Sequence, residues 1–255
     1  MTGEGNFRMK IYIYGIIDSN GGIDESIRGV KGAPIQNIPY RDMGIVVSRF
    51  DEMKGITKIN ALEHEDVLER LMKRFTVLPL KFRTLFNREE DFLSIMEDHY
   101  GDFWENLDRL RNKAEFGIKV IWPGDRIRER IERDYCKTNP GTPEASDPPG
   151  NRYIEEKFEK YQIEKEFEEK AEICISIIDN FLDRFAAEKK LEKSKSRDIL
   201  LNAFYLVEKG RQKDFKEAFE VFKIAPGGFN YKLLGPLPPY DFVKIDGIFN
   251  WLDIR

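Results

Sequence analysis

Apolar and polar positions along the first third of the chain follow two periods, one typical of strands and one typical of helices. The stretch "KIYIYGII" (10–17) is rich in β-branched and aromatic residues and predicts a strand buried on both faces. Two further strands, "PIQNIPY" (34–40) and "GIVVSRF" (44–50), follow with the spacing of a hairpin. Between the first two strands, "IDESI" (23–27) predicts a short helix.

A longer helix is predicted from Asn60, where the apolar period becomes three to four residues. Asn60 and Glu63 have the spacing of a capping box. The apolar stripe of this helix comprises Ala61, His64, Leu68, Leu71 and Phe75. "TVLPLKF" (76–82) then returns to an extended pattern. The resulting order, βαββαβ, is the ferredoxin-like arrangement, in which helices cover one face of an antiparallel sheet.

The rest of the chain predicts a second sheet combined with long helices. A helix opening at Asn87 leads to the strand "EFGIKVIW" (115–122). Residues 136–151 contain four prolines and almost no apolar side chains, which predicts a mobile surface loop. Residues 152 to about 193 predict one long helix, which ends in a solvated basic run. A strand, a helix and a final strand follow, in "DILLNAFYLVEK", "QKDFKEAFEVFKI" and "FNYKLLGPLP".

These patterns predict an α+β protein of two domains. The first domain, residues 1–86, is expected to be ferredoxin-like. The second, residues 87–255, is expected to be a ferredoxin-like α/β domain enlarged by the long helix and carrying the proline-rich loop. The two halves of the long helix differ, since its first half has only Ile154, Phe158 and Tyr161 among many Glu and Lys residues.

Composition and charge narrow the range of functions. The chain has 255 residues, of which 42 are basic and 46 acidic, giving a formal net charge of −4. Nucleic-acid-binding proteins usually have a basic excess or a basic face, so we expect no nucleic-acid partner. No apolar stretch approaches the roughly 20 residues that span a bilayer, and two cysteines fit a reducing compartment. We therefore expect a cytoplasmic protein with no membrane partner.

Candidate catalytic and metal-binding side chains are few. A zinc-protease helix needs a second histidine four residues after His64, where Leu68 stands. His99 lies on a predicted helix stripe, so a packed core histidine is the simpler interpretation of each, with a ligand or base as the alternative. Gly29 and Gly32 form only a G-x-x-G, which is typical of a turn and incomplete as a nucleotide-binding loop. We expect no enzyme activity, no cofactor and no bound metal.

The stretch "GPLPPYDFV" (235–243) allows two interpretations. Pro236 and Pro239 form a P-x-x-P, which in an exposed tail is typical of a ligand for an SH3-like groove. Prolines also stiffen the exit of a strand at a sheet edge, where their missing N–H groups do no harm. The residues alone leave both interpretations open.

Several segments, in order along nearly the whole chain, resemble the gas vesicle protein F/L family. They are "YIYGII" (12–17), "GVKGAPIQNIPY" (29–40), "GIVVS" (44–48), "HEDVLERL" (64–71), "VLPLKFRTLF" (77–86), "EFGIKVIW" (115–122) and "GPLPPYDF" (235–242). Two positions depart from the family pattern: Arg83 stands where glycine is usual, and Leu237 where tryptophan is common. If that glycine permits an unusual backbone angle, Arg83 must either adopt it or change the turn.

The resemblance implies a modified ferredoxin-like N-terminal domain, a second α/β domain with long helices, and a role in gas vesicle assembly. It also implies that the proline element concludes the folded second domain, with Tyr240 and Phe242 packed back onto the body. The family's members are accessory proteins, encoded with a small and very apolar shell protein. Exposed patches and strand edges of such a shell protein are prone to aggregate before assembly.

We expect this chain to bind the major shell protein through its N-terminal domain, in association with the gas vesicle, and to help nucleate or chaperone shell formation. The candidate residues lie where apolar and cationic side chains alternate: Leu78, Leu80, Lys81, Phe82, Arg83, Leu85 and Phe86. Packing inside the domain core is the competing interpretation of these residues. The alternative function is a scaffold that links other gas vesicle accessory proteins through the first half of the long helix.

Overall fold

The computed structural model describes residues 9–50, 57–139, 149–194, 198–223 and 228–245, with the backbone alone at 149–152. Helices and antiparallel sheets are both present, which confirms the predicted α+β class. The chain forms two compact units, of which the first comprises Met1–Glu115 with Gly235–Arg255 and the second comprises Phe116–Leu234. This division differs from the predicted boundary after residue 86.

The first unit is built on one antiparallel sheet with β1 at its centre. Its strands are β1 (Lys10–Ile17), β2 (Gln36–Tyr40), β3 (Met43–Phe50), β4 (Val77–Pro79) and β5 (Leu85–Phe86), and its helices are α1 (Lys58–Leu71), α2 (Glu89–Asp98) and α3 (Tyr100–Leu110). The strand order is β2-β3-β1-β4, and β5 also pairs with β1. Seven of the eight residues of β1 are buried, as its apolar composition predicts.

Helices cover both faces of this sheet. On one face, Tyr12 and Tyr14 pack in a cluster with Val67, Leu68 and Leu71 of α1. The other face meets α2 and α3 around an apolar cavity of about 30 Å³, lined by Ile13, Ile16, Ile45, Leu80, Phe86, Phe92, Ile95, Met96 and Phe103. The apolar stripes of α2 and α3 are buried against this face. That packing places residues 87–110 in the first unit, whereas the sequence predicted a boundary after residue 86.

The helix predicted at residues 23–27 is a turn in the structure. The Asp24 carboxylate accepts a hydrogen bond from the Ser26 N–H at 2.9 Å, and the Asp24 carbonyl accepts one from the Ile27 N–H at 3.2 Å. An aspartate side chain that bonds to nearby backbone in this way competes with helix formation. The predicted βαββαβ order therefore lacks its first helix.

Among its described residues, the second unit contains a four-stranded sheet and three α-helices. Its elements are β6 (Lys113–Ile121), α4 (Gly124–Thr138), α5 (Pro149–Leu182), β7 (Glu188–Lys193), β8 (Ile199–Glu208), α6 (Gln212–Lys223) and β9 (Asn230–Leu237). The division between the units falls within two of these strands, since β6 belongs to the second unit from Phe116 onward and β9 belongs to it up to Leu234. The strand order is β7-β8-β6-β9. Phe116, Tyr205, Phe215 and Phe219 form the centre of its core, and Ile178 of α5 packs onto them. Numbered along the chain within each sheet, the main strands of both sheets have the order 2-3-1-4.

The predicted long helix over residues 152–193 is wrong at its C-terminal end. α5 stops at Leu182, and Glu188–Lys193 form an edge strand paired antiparallel with β8. The Ala187 N–H donates to the Leu206 carbonyl at 2.8 Å as the pairing begins. Backbone pairing with β8 outweighs the helix propensity of these Lys and Glu residues, since propensity is routinely overridden by tertiary context. A lysine-rich sequence is common in edge strands because it discourages further pairing.

The predicted loop over residues 136–151 is shorter than expected. Residues 136–138 form the last turn of α4, and residues 149–151 already belong to α5. The middle of the predicted loop, residues 140–148, lies outside the described residues, as do residues 195–197 of the basic run.

Candidate partner-binding site

The segment "VLPLKFRTLF" (77–86) divides into a buried part and an exposed part. Leu78 is fully buried and Leu80 is 6% exposed, so neither side chain is available to a partner. The Leu80 N–H donates to the Tyr14 carbonyl at 2.9 Å, which fixes the backbone against β1. For these two leucines core packing is the correct interpretation. β4 ends at Pro79, and the predicted alternation of faces therefore stops there.

A tight turn at residues 81–84 replaces the predicted strand. The backbone N–H and the hydroxyl of Thr84 both donate to the Lys81 carbonyl, at 3.1 and 2.7 Å. Arg83 has a φ of 74°, in the left-handed region that favours glycine. Arg83 therefore adopts the unusual backbone angle itself, and the turn is not changed to avoid it. Its cationic side chain is exposed at the tip of the turn.

Three of the seven predicted residues, Lys81, Arg83 and Leu85, are exposed side by side. We call these three residues, together with the rings of Phe82 and Phe86 that support them, the 81–86 surface. Lys81 and Arg83 are exposed, and Leu85 is 38% exposed. Leu85 lies in β5, which pairs with β1 on one side. Among the described residues, no strand pairs with β5 on its other side. This surface therefore combines two cations, an apolar side chain and the outer edge of a short strand.

Phe82 and Phe86 anchor this surface from below. Both rings are half-buried. The Phe82 ring centroid lies 5.9 Å from that of His64 in an edge-on arrangement, and the Phe86 centroid lies 5.8 Å from that of Phe92. Ring pairs in this geometry stabilise beyond the apolar area that they bury. The turn is thus fixed to α1 on one side and to α2 on the other.

A buried polar network centred on His64 supports the turn. His64 is fully buried, which confirms its prediction as a core residue. Its Nε2 lies 3.0 Å from the Leu80 carbonyl oxygen, which can only accept, so Nε2 carries the ring proton. Nδ1 is then the acceptor, and it receives the Tyr12 hydroxyl proton over 2.8 Å. The Tyr12 oxygen in turn accepts the Arg83 N–H at 3.3 Å.

Burial keeps this network neutral at its centre. Burial lowers the pKa of His64 from 6.5 to about 4, against a smaller opposing effect of the hydrogen bond to the Leu80 carbonyl. A second ring proton would also leave Nδ1 facing the Tyr12 hydroxyl proton. Burial raises the pKa of Glu65, and the hydrogen bond that this carboxylate receives from Tyr240 opposes the rise. The network positions the turn through neutral, directional hydrogen bonds.

The proline element returns to the first unit and closes the network. The Tyr240 hydroxyl donates to the Glu65 carboxylate at 3.0 Å and lies 3.1 Å from His64 Nε2. Phe242 is 2% exposed. These contacts confirm that Tyr240 and Phe242 pack back onto the body, and they disfavour the SH3-ligand interpretation of Pro236 and Pro239. The element belongs to the first unit, whereas the resemblance implied the second.

Side chains of α3 fix the far end of the same element. Asn106 donates to the Lys244 carbonyl at 2.7 Å and accepts from the Lys244 N–H at 2.8 Å. Arg109 donates to the Phe242 carbonyl. The Asp241 N–H donates to the Glu115 carboxylate at 2.9 Å. Residues 240–244 are therefore held at both ends by side chains of the first unit.

The G-x-x-G stretch is a turn docked against the same core. The Val30 N–H donates to the Tyr14 hydroxyl at 2.8 Å, and the Lys31 N–H donates to the Glu63 carboxylate at 2.8 Å. A Cβ atom at Gly29 would lie 2.0 Å from the Tyr14 hydroxyl oxygen, so this close approach requires glycine. These contacts give the stretch a structural explanation.

The remaining candidates show ordinary contacts. His99 is half-buried, and its Nδ1 lies 3.1 Å from the Asp102 carboxylate. Cys174 is half-buried beside the core of the second unit. Within the described ranges, no three His, Cys, Asp or Glu side chains are grouped so that they could hold a metal ion. No helix in those ranges has both the length and the apolar character to cross a membrane.

Sequence reasoning missed Tyr12 as a member of the network, and it placed Tyr240 against the body without its partners Glu65 and His64. Tyr12 and Tyr14 alternate on β1 and therefore share a face, and His64 lies on the predicted inner stripe of α1. Aromatic hydroxyls and a histidine facing one another across a sheet–helix interface are a signal for a buried hydrogen-bonded cluster. Tyr240 gave no comparable local signal because it is 176 residues away from His64.

Comparisons with known proteins agree over nearly the whole chain. A family model described as "Gas vesicle synthesis protein GvpL/GvpF" matches residues 10–244. Gas vesicle protein F of Streptomyces sp. (strain CB03234) is 23% identical over 239 residues, covering 92% of this chain and 100% of the relative. Gas vesicle protein F1 of Halobacterium salinarum is 22% identical over 243 residues, covering 92% and 93% of the two chains.

Two solved structures share the fold. The crystal structure of GvpF from Microcystis aeruginosa aligns with a TM-score of 0.81 at 18% identity and covers 92% of this chain and 99% of that one. The crystal structure of GvpF from Anabaena sp. PCC7120 aligns with a TM-score of 0.78 at 20% identity and covers 93% and 97%.

Proposed function

The chain belongs to the gas vesicle GvpL/GvpF family, and on this premise we propose that it is an assembly factor that binds the major gas vesicle shell protein through its first unit. Bound in this way, it helps to nucleate or chaperone the shell in the cytoplasm. The role is one of binding, without catalysis, and other gas vesicle accessory proteins are further partners. The gas vesicle role itself follows from family membership, whereas the shell-binding surface is our proposal.

The observation that carries the proposal is the 81–86 surface. Lys81, Arg83 and Leu85 are exposed together beside β5, which lies at the outer edge of the sheet. Leu78 and Leu80 are buried, so the proposed contact with the shell protein does not involve their side chains. An edge strand offers backbone N–H and C=O groups to an added strand, and side chains along the edge then select the partner. A small apolar shell subunit with unpaired strand edges fits this mode of binding.

The rigid support of this surface also favours a binding role. Phe82 packs against His64, and the Arg83 N–H bonds to Tyr12, so the turn is ordered before any partner arrives. A pre-ordered surface loses less conformational entropy on binding, which favours affinity. The left-handed backbone at Arg83 is a strained feature of the kind found at functional sites.

The test uses the full-length chain carrying Leu85→Glu, which places a charge at the centre of the 81–86 surface. The tagged protein is mixed with freshly solubilised shell protein, and the retained fraction is measured. We expect Leu85→Glu to reduce retention at least about tenfold, the equivalent of about 1.4 kcal/mol. Fragments ending at residue 86 are unsuitable because the first unit also requires α2, α3 and residues 240–244.

Leu191→Glu is the matched control. Leu191 is also a leucine in an edge strand and is 36% exposed, against 38% for Leu85, but it lies in β7 of the second unit. Retention by Leu191→Glu should equal that of the unmodified protein. Equal retention by both variants would move the shell-binding site away from the 81–86 surface, and no retention by the unmodified chain would reject shell binding altogether.

A further inference from the structure

β7 (Glu188–Lys193) is an edge strand of the second sheet, and its side chains lie outside the core. Each of its six residues is half-buried or exposed. The core cluster of the second unit includes side chains of β6, β8, α5 and α6, and among the described residues no member of that cluster lies in β7. Burial of apolar surface is the dominant favourable contribution to folding. β7 is therefore held by its backbone pairing with β8 and by polar contacts.

Ion pairs connect β7 to α5 and to the turn that follows it. The Lys189 ammonium lies 2.7 Å from the Asp179 carboxylate and 2.9 Å from the Asp183 carboxylate. Lys193 forms an ion pair with Glu172. Glu172, Asp179 and Asp183 are seven and four residues apart, a spacing that follows one side of a helix. The two lysines are four residues apart in a strand and therefore share a face.

These ion pairs are accessible to solvent and depend on ionic strength. The side chains of Lys189 and Lys193 are 35% and 48% exposed. Dissolved salt screens such pairs, and the range of charge–charge interactions falls from about 10 Å at 0.1 M salt to about 3 Å at 1 M. Core packing of apolar side chains is not subject to this screening. The attachment of β7 should therefore weaken at high salt while the core of the unit persists.

Two buried polar atoms beside these ion pairs lack partners. The hydroxyl of Tyr205 and Oδ1 of Asp179 are buried, and neither has a hydrogen-bond partner among the described residues. Tyr205 lies directly opposite Lys189 in the β7–β8 pairing. Burial raises the pKa of Tyr205, and the nearby charges of Asp179 and Asp183 raise it further. A buried polar atom without a partner carries a free-energy cost that is removed when water reaches it.

We propose that β7 is a salt-sensitive strap, which detaches from β8 and α5 while the rest of the second unit stays folded. In the closed state, the ion pairs of Lys189 and Lys193 oppose the cost of the two unpartnered atoms. In the open state, water hydrates Tyr205 and Asp179, and the edge of β8 is uncovered. Segments that open locally have few buried apolar contacts, as β7 does. This opening is independent of shell binding, which is assigned to the first unit.

Amide hydrogen exchange of the full-length chain, followed by mass spectrometry, measures the opening. In the unmodified protein, residues 188–193 should exchange at least about tenfold faster than β6, which lies inside the sheet between β8 and β9. Raising sodium chloride from about 0.05 M to about 1 M should accelerate exchange of the strap roughly three- to tenfold and leave β6 unchanged. The comparison with β6 separates local opening from global unfolding, which exposes both strands together.

Lys189→Met tests the ion pairs. Methionine has a similar length without the charge, so exchange of the strap should rise about five- to tenfold at low salt. Its salt dependence should be smaller than that of the unmodified protein. Lys213→Met is the matched control, since Lys213 forms an exposed ion pair with Glu217 on α6, and it should match the unmodified protein. Exchange of β6 verifies that each variant is folded.

Tyr205→Phe tests the unpartnered hydroxyl, and its expected effect has the opposite direction. The substitution keeps the buried ring and removes a cost of the closed state, so exchange of the strap should slow by about three- to tenfold. Tyr161→Phe, at an exposed tyrosine of α5, should leave the exchange unchanged.

Three results would overturn the proposal. Equal exchange of residues 188–193 and of β6 at every salt concentration would show that β7 does not open on its own. Exchange that responds neither to salt nor to Lys189→Met would exclude the ion pairs as the attachment of the strap. Faster or unchanged exchange in Tyr205→Phe would show that the closed state carries no cost at this hydroxyl.

Discussion

The hydroxyl of Tyr12 lies 2.8 Å from Nδ1 of His64, joining the central strand to helix α1 across 52 positions of sequence. Because the same oxygen accepts the Arg83 N–H, this contact transmits the position of the helix to the turn. His64 Nε2 reaches the Leu80 carbonyl on its other side. One buried ring therefore orients the backbone before and after the exposed cation Lys81.

The low pKa of His64 predicts a loss of stability in mild acid. The unfolded chain binds a proton at this residue near pH 6.5, whereas the folded chain binds it only near pH 4. Stability from this group is therefore complete above about pH 6.5 and falls by about 1.4 kcal/mol per pH unit from there down to about pH 4. Urea unfolding at pH 7.5 and pH 5.5 should show this fall in the unmodified protein and a smaller one in His64→Gln.

Tyr161→Phe is the control for that experiment, since Tyr161 is 62% exposed and the substitution leaves His64 in place. It should retain the full pH dependence of the unmodified protein. If His64→Gln and the unmodified protein lose the same free energy of unfolding between the two pH values, the assignment of a neutral His64 ring in the folded protein is wrong.

Removal of the Tyr240 hydroxyl should weaken the first unit. Tyr240→Phe deletes the donor to Glu65 and leaves a half-buried carboxylate without that hydrogen bond. We expect the free energy of unfolding to fall by about 1–2 kcal/mol. Thermal or urea unfolding measures the change, and Tyr161→Phe, at a residue 62% exposed, should alter it by less than about 0.5 kcal/mol. Equal effects of the two substitutions would argue against the Tyr240 contact.

The left-handed turn at Arg83 predicts that glycine is preferred there over alanine. At a φ of 74°, a residue with a Cβ costs roughly 1 kcal/mol relative to glycine. Arg83→Gly and Arg83→Ala both remove the side chain, including its contact with the Phe82 ring, so their difference isolates the backbone. We expect Arg83→Gly to be the more stable by about 1 kcal/mol in urea unfolding. A more stable alanine variant would place this residue outside the left-handed region.

The close approach at Gly29 predicts a strong effect of a single methyl group. An alanine Cβ there would lie 2.0 Å from the Tyr14 hydroxyl and 2.8 Å from the Ser48 hydroxyl. We expect Gly29→Ala to reduce the free energy of unfolding by about 2 kcal/mol or more. Gly22→Ala is the control, since nothing lies within 4 Å of its Cβ position. A difference of less than about 0.5 kcal/mol between the two would mean that the turn at Gly29 relaxes without cost.

Strong local patterns made part of the fold predictable. The apolar stripe of α1 placed His64, Leu68 and Leu71 inside, and all three are buried. The composition of β1 predicted a strand buried on both faces. The return of Tyr240 to the body came from family resemblance alone, because a proline-rich stretch has no period that fixes what it packs against.

Tertiary pairing decided the elements that the sequence did not predict. Glu188–Lys193 has a composition that permits a helix, and its strand is formed only by pairing with a segment that begins at Ile199. The alternation of Leu78 and Leu80 occurs in surface strands and in core strands alike, so the sequence does not tell the two apart. Leu80 is inside because α2 and α3 pack over that face of the sheet. Lys81 and Arg83 are exposed because they lie in a turn. This turn could not be predicted from the sequence, because it contains no glycine or asparagine, which are the usual turn residues.

The first unit is interrupted by the second along the chain, since Gly235 and the residues after it return to the first unit. A ribosome that has completed the segment up to Glu115 has still to synthesise residues 116–234 before Tyr240 exists. At roughly 5–20 residues per second, that delay is on the order of 10 s. During translation, Glu65 has no tyrosine donor and the support beneath the turn is incomplete. The proposed binding surface thus becomes fully ordered only after Tyr240 has been synthesised, which delays its first encounter with a shell subunit until the second unit has been translated.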